Sequence, residues 1–213
     1  MKKVFLLIVL LIAGITNAQE FTNDTKSITG VFEVKEKTKS EIFSSINKWI
    51  TLNYNSSKTV LQMNDLESGT IIIKGINEVT YKNSAKELYP KDKYVGENTT
   101  TKFNHLIEIN IKDNKFRVIY KLIDMVGQDV GFNGLLFNIV NLNNGNIDSQ
   151  VNQYNDEMDK ILKVAYVGKE KRELLKEKNK LMFADMNVNL INNLKNTMIN
   201  LEKSIATSAK DEW

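Results

Sequence analysis

The 213-residue sequence has no cysteine, one proline, one histidine and ten glycines. The missing cysteine excludes disulfides, thiolate metal sites, cysteine nucleophiles and a lipid-anchored N-terminal cysteine. A single histidine makes a zinc site improbable, because such sites draw three or four ligands chiefly from His and Cys. One proline and few glycines argue against a long disordered linker. Charge of one sign is also scarce. The formal net charge is +3, and Lys2 and Lys3 supply two of it. A chain so nearly balanced carries no polybasic footprint for nucleic acid. With 42% apolar residues it must hold itself together through its core.

One apolar run stands out. Lys2 and Lys3 precede Val4–Ile15, and Thr16, Asn17 and Ala18 follow with short side chains. That is the pattern of a secretory signal peptide cut after Ala18, leaving residues 19–213. The run is shorter than the roughly 20 residues that span a bilayer, so no stable membrane span is expected after cleavage. The expected location is the periplasm or the exterior.

Beyond it, residues 19–27 are polar and expected to be loose. Ile28–Val34 reads as a strand. Thr38 precedes Glu41 by three residues, a capping box ahead of Ile42, Phe43, Ile46, Trp49 and Ile50 at helical spacing. Short β-branched Thr59–Met63, the turn Asn64–Gly69 and the Ile-rich Thr70–Thr80 predict two more strands. Asn83–Thr99 reads as a polar loop. Phe103, His105, Ile107, Ile109 and Ile111 then alternate with polar residues. Asp113-Asn114 makes a two-residue turn to Phe116, Val118, Tyr120 and Leu122 on the return strand. The predicted order is β-α-β-β-β-β: an antiparallel sheet with apolar alternates toward a packed helix and polar alternates toward solvent.

After Ile123, residues 125–146 are apolar but irregular, and two readings stand open: an inserted loop, or a short helix over Leu135–Val140. Val151, Tyr154, Met158, Ile161, Leu162 and Ala165 form a helical stripe. Lys169–Lys180 is almost wholly charged apart from Leu174 and Leu175. A second stripe runs through Met182, Met186, Leu190, Ile191, Leu194, Met198, Leu201 and Ile205. It is expected to pack on the chain's own sheet, with a homodimer through this helix as an alternative.

The segments Lys39-Ser-Glu-Ile-Phe, Lys48-Trp49, Val60-Leu-Gln and Gly69-Thr-Ile-Ile-Ile-Lys-Gly75 resemble a family of exported bacterial domains of unknown function with a TBP-like fold. So do the hairpin Ile109–Tyr120 and the final Lys-Asp-Glu-Trp. The resemblance implies a curved antiparallel sheet with helices packed on it, an α+β fold, and no activity. The resemblance covers about Ile28–Ile123; with the patterns above, the chain is expected to divide into a cleaved signal peptide (1–18), a loose segment (19–27), a TBP-like α+β domain (28–123), an irregular insertion (124–146) and a helical region packing on the sheet (147–213).

No residue set carries a chemical signature. His105 lies on an apolar strand face without a nucleophile turn, and so reads as structural. Asp65 and Glu67 read as turn formers, Glu78 and Glu87 as isolated, and Asp156, Glu157 and Asp159 as a solvated helix face. Gly127, Gly131 and Gly134 match no phosphate loop. Trp49 reads as a core anchor, with a ligand groove beside Tyr54 as the alternative. Trp213 is either free or docked on the fold. No catalytic, cofactor or metal residue is therefore assigned. The function expected is a non-catalytic binding or scaffold module of the cell envelope, acting on an unknown ligand or envelope protein. The alternative is a carboxylate-dependent hydrolase of an envelope or dietary polymer.

Overall fold

The computed structural model describes residues 20–127 and 130–207. The signal-peptide segment and Trp213 lie outside the described residues. Six antiparallel strands form one sheet in the order β1-β2-β6-β5-β4-β3. They are β1 (Glu20–Asn23), β2 (Ser27–Glu33), β3 (Leu61–Asp65), β4 (Thr70–Lys82), β5 (Asn98–Lys112) and β6 (Lys115–Met125). The helices are α1 (Lys39–Asn53), α2 (Ser57–Val60), α3 (Ser84–Leu88), α4 (Val130–Ile139), α5 (Asp148–Val164) and α6 (Lys169–Thr207). The fold is α+β, with helices gathered on one face of the sheet.

Period-2 alternation builds the core. Ile71, Ile73 and Val79 of β4, Phe103, Ile107, Ile109 and Ile111 of β5, and Phe116, Val118, Tyr120 and Leu122 of β6 are all buried on the inner face. The opposite face carries Lys74, Glu108, Arg117 and Lys121 and looks outward. The β5–β6 turn is the expected one: Lys112 pairs with Lys115, and Asn114 takes a positive φ of 63°. The Asp65–Gly69 turn closes on Gly69 at φ 70°, where a Cβ would lie 2.5 Å from the Ile111 carbonyl oxygen.

Helix α1 starts at the capping box. The Thr38 hydroxyl accepts from the Glu41 amide, and the Glu41 carboxylate accepts from the Thr38 amide at 2.7 Å. Its buried face is Ile42, Ile46, Trp49 and Ile50. Long α6 lies beside α1 across the sheet, burying Phe183, Met186, Leu190, Leu194, Met198, Leu201 and Ile205. The C-terminal stripe thus covers the chain's own sheet.

Two expectations are corrected. Residues 19–27 are not loose: β1 pairs with β2 in the register Glu20↔Val31, and Phe21 packs edge-on against Phe32 at 5.8 Å. Four residues carry too little alternation to announce a strand, so backbone pairing decides it. Residues 124–146 are not an irregular insertion: β6 runs on to Met125, and α4 occupies Val130–Ile139. Lys26 donates to the Phe137 and Val140 carbonyls at the end of α4 and sits 4.5 Å from the Phe137 ring centroid. Asn187 Oδ1 accepts from the Asn141 backbone amide at 2.8 Å. Long-range bonds therefore set this segment. As expected for a helical 147–213, α6 begins at Lys169 and includes the charged stretch, where Arg172, Lys176, Lys178 and Lys180 pair with carboxylates of α3 and α5.

Candidate functional site

A cavity of about 360 Å³ lies at the end of the sheet where β4 finishes and β5 starts. That is within the usual range of ligand pockets. The inner-face alternation that supplies aliphatic side chains mid-sheet here supplies Tyr81 and Thr101, whose hydroxyls hydrogen-bond at 2.7 Å. Asn83 then caps α3 by accepting from the Ala85 amide at 3.1 Å. That turn swings Ser84, Ala85 and Leu88 over the opening. Leu136 of α4 and Tyr154, Met158 and Leu162 of α5 form a second wall. Lys171, Leu175, Asn179 and Met182 form the third, one stripe of α6.

A buried polar chain ties these walls together. The Ser84 hydroxyl donates to Asn179 Oδ1 at 2.7 Å, and Asn179 Nδ2 donates to Asn155 Oδ1 at 2.7 Å. Asn155 Nδ2 donates in turn to the Lys176 carbonyl at 3.2 Å. All three side chains are buried, so α3, α5 and α6 are held in register around the space. Burial pushes the Tyr154 hydroxyl up to about 12 and also raises that of Tyr81, so both stay protonated as neutral donors. The lining includes no Asp or Glu, and Lys171, at its exposed edge, is the one charged member. The arrangement suits binding: apolar walls, neutral hydrogen-bonding groups fixed in place, and a cation at the rim.

Sequence reasoning did not assign this site. Its residues come from six elements, and most of the α6 stripe lies within a stretch whose charge masks Leu175 and Asn179. The one available signal was their spacing of three and four, continued upstream from the Met182 stripe.

The sequence-singled residues sit elsewhere. Trp49 is 6% exposed and packs edge-on against Tyr54 at 6.1 Å. His105, 2% exposed, lies against Gly75 of the paired strand, where a Cβ would come within 2.9 Å of the ring. Its Nδ1 shares a hydrogen bond with the Tyr120 hydroxyl at 3.0 Å, and its Nε2 meets the Tyr54 hydroxyl at 3.5 Å. Burial holds its pKa down to about 4, so the ring is neutral. Asp65 accepts from the Glu67 amide at 2.8 Å inside its turn. Glu78 pairs with Lys102 at 2.6 Å, and Glu87 with Lys178 at 2.7 Å. Asp159 is no solvated face residue: it meets Arg172 of α6 at 2.8 Å and Lys163 at 2.7 Å. The Lys163 hydrogen bond, then Arg172, holds its carboxyl below the usual range. Glu157 pairs with Lys160 on the exposed side of α5. Asp156, Glu157 and Asp159 share one open surface hollow on α5 with Lys160 and Lys163, while Asp65, Glu78 and Glu87 lie elsewhere. Among the described residues, no group of three or more His, Cys, Asp or Glu could hold a metal ion, and no helix is long and apolar enough to cross a membrane.

Residues 29–124 match the family described as a domain of unknown function (DUF4468) with TBP-like fold. Two crystal structures are similar in shape. One, a TBP-like protein from Parabacteroides distasonis, is 13% identical with a TM-score of 0.47, covering 92% of this chain and 99% of that one. The other, a DUF4468 family protein from Bacteroides ovatus, is 12% identical with a TM-score of 0.48, covering 93% of this chain and 95% of that one. No curated protein matches the sequence.

Proposed function

We propose that this chain, whose residues 29–124 belong to the DUF4468 family with TBP-like fold, is a non-catalytic binding module exported to the cell envelope. The observation that carries the reading is the cavity at the end of the sheet. It is large enough for a small organic ligand, its walls are cross-bonded through Ser84, Asn179 and Asn155, and its lining holds no carboxylate. Pre-formed pockets with few fixed polar groups are what small-ligand recognition requires. Export is supported by the sequence pattern of Lys2, Lys3, Val4–Ile15 and Ala18. The carboxylate hydrolase alternative draws no support from the cavity, since a glycan-cleaving site needs two carboxyl groups across the bond. A homodimer through the C-terminal helix would use its outward residues, such as exposed Leu181 and Val188.

Native mass spectrometry of the protein isolated from its own host tests the reading. The expected result is a reproducible extra mass that is lost in an Ala85→Leu variant, whose larger side chain fills the cavity. Bare protein in every preparation sinks it.

A further inference from the structure

We infer that the cavity ligand is an amphiphilic monoanion, its acidic head at Lys171 and its apolar body among Leu136, Met158, Leu162 and Leu175. This rests on the cavity being the binding site. Three observations carry it. First, Lys171 is the one charged side chain lining the space, and no acidic residue lines it to neutralise that charge. Its ammonium lies 4.9 Å from the centroid of the Tyr89 ring, also a lining residue. An aromatic face steadies a cation yet leaves its charge uncompensated. Neighbouring cations of this part of α6 are paired: Arg172 and Lys176 with Asp159, and Lys178 with Glu87. Second, the walls are built of Leu, Met and Ala side chains from four helices, so the body of the ligand must be apolar to replace water favourably. Third, the size is limited. At about 30 Å³ for each water-sized group, 360 Å³ admits about a dozen non-hydrogen atoms. The Tyr81–Thr101 pair has two hydroxyl protons and makes one mutual bond, which leaves a proton for an oxygen on the ligand.

The probes are decanoate and its neutral counterpart 1-decanol, titrated into the full exported chain by calorimetry. Decanoate is expected to bind, and Lys171→Gln to weaken it about fivefold, the scale of one exposed charge pair, while leaving 1-decanol unchanged. Ala85→Leu is expected to abolish binding of both probes and to raise the melting temperature, which separates a filled cavity from a misfolded protein. Equal effects of Lys171→Gln on both probes, or none on decanoate, would overturn the anionic assignment. So would decanoate binding that survives Ala85→Leu, or no binding of decanoate at all. In each of these cases an extra mass on host-isolated protein that is lost in Ala85→Leu still upholds the cavity as a binding site, so the two readings fail separately.

Discussion

Trp49 shows how much one side chain contributes in a fold without disulfides. Its indole is 6% exposed on the inner face of α1 and meets the Tyr54 ring edge-on. Trp49→Ala is expected to lower unfolding free energy by about 3–5 kcal/mol in urea titrations, the usual cost of truncating a core aromatic. A loss below about 1 kcal/mol would place the ring outside the core. His105 makes a pH prediction. Its folded pKa is held down to about 4 by burial, against 6.5 for the free side chain. Below pH 6.5 the unfolded chain takes up a proton that the folded chain refuses until about pH 4. The stability tied to this residue is therefore full above pH 6.5 and is lost as pH falls from 6.5 to 4, by about 3 kcal/mol. His105→Gln should flatten that part of the profile relative to the parent protein; parallel profiles would show that the ring is not buried neutral. The structural role of His105 was legible in its alternation with Phe103 and Ile107. Its partners were not, because Tyr54 and Gly75 reach it only through helix docking and strand register.

At the scale of elements, α4 is the informative case. Its sequence, Val130–Ile139, lacks the amphipathic period and charged termini that announce a helix. The end of the helix is instead fixed from a distance by Lys26, which donates to the Phe137 and Val140 carbonyls at the helix C-terminus and brings a positive charge to the negative end of its dipole. Lys26→Met is expected to cost about 1–2 kcal/mol and to speed amide exchange over residues 137–142. Unchanged exchange there would show that the lysine is not what anchors the segment. By contrast, α1 was legible from Thr38 to Ile50, because its cap and its stripe lie within a few residues of one another. Strand β1 was illegible for the opposite reason: its stability comes from pairing with β2 and from Phe21 on Phe32, neither of which lies inside its four residues.

Across the whole molecule, one sheet face is covered by α1 and α6, and the second half of α6 carries a large share of that cover. A chain ending after Lys180 would lose Phe183 to Ile205 and leave Ile73, Phe103 and Tyr120 with a much thinner roof. It is expected to lose cooperative unfolding and its near-ultraviolet dichroism; a cooperative thermal transition in that truncated chain would contradict this account of the core. The sequence by itself determined the strand periodicity from Phe103 to Leu122, the cap of α1, the tight turn at Asp113-Asn114 and the α+β class. Each of these depends on residues close in the chain, where the 2.0 and 3.6 periods are written directly. Tertiary structure alone decided the added strand at the sheet edge, the packing of α4 and the existence of the cavity. Those depend on side chains from elements about a hundred residues apart, such as Ser84 with Asn179 and Lys26 with Val140, and a void is defined by walls whose meeting no local pattern records.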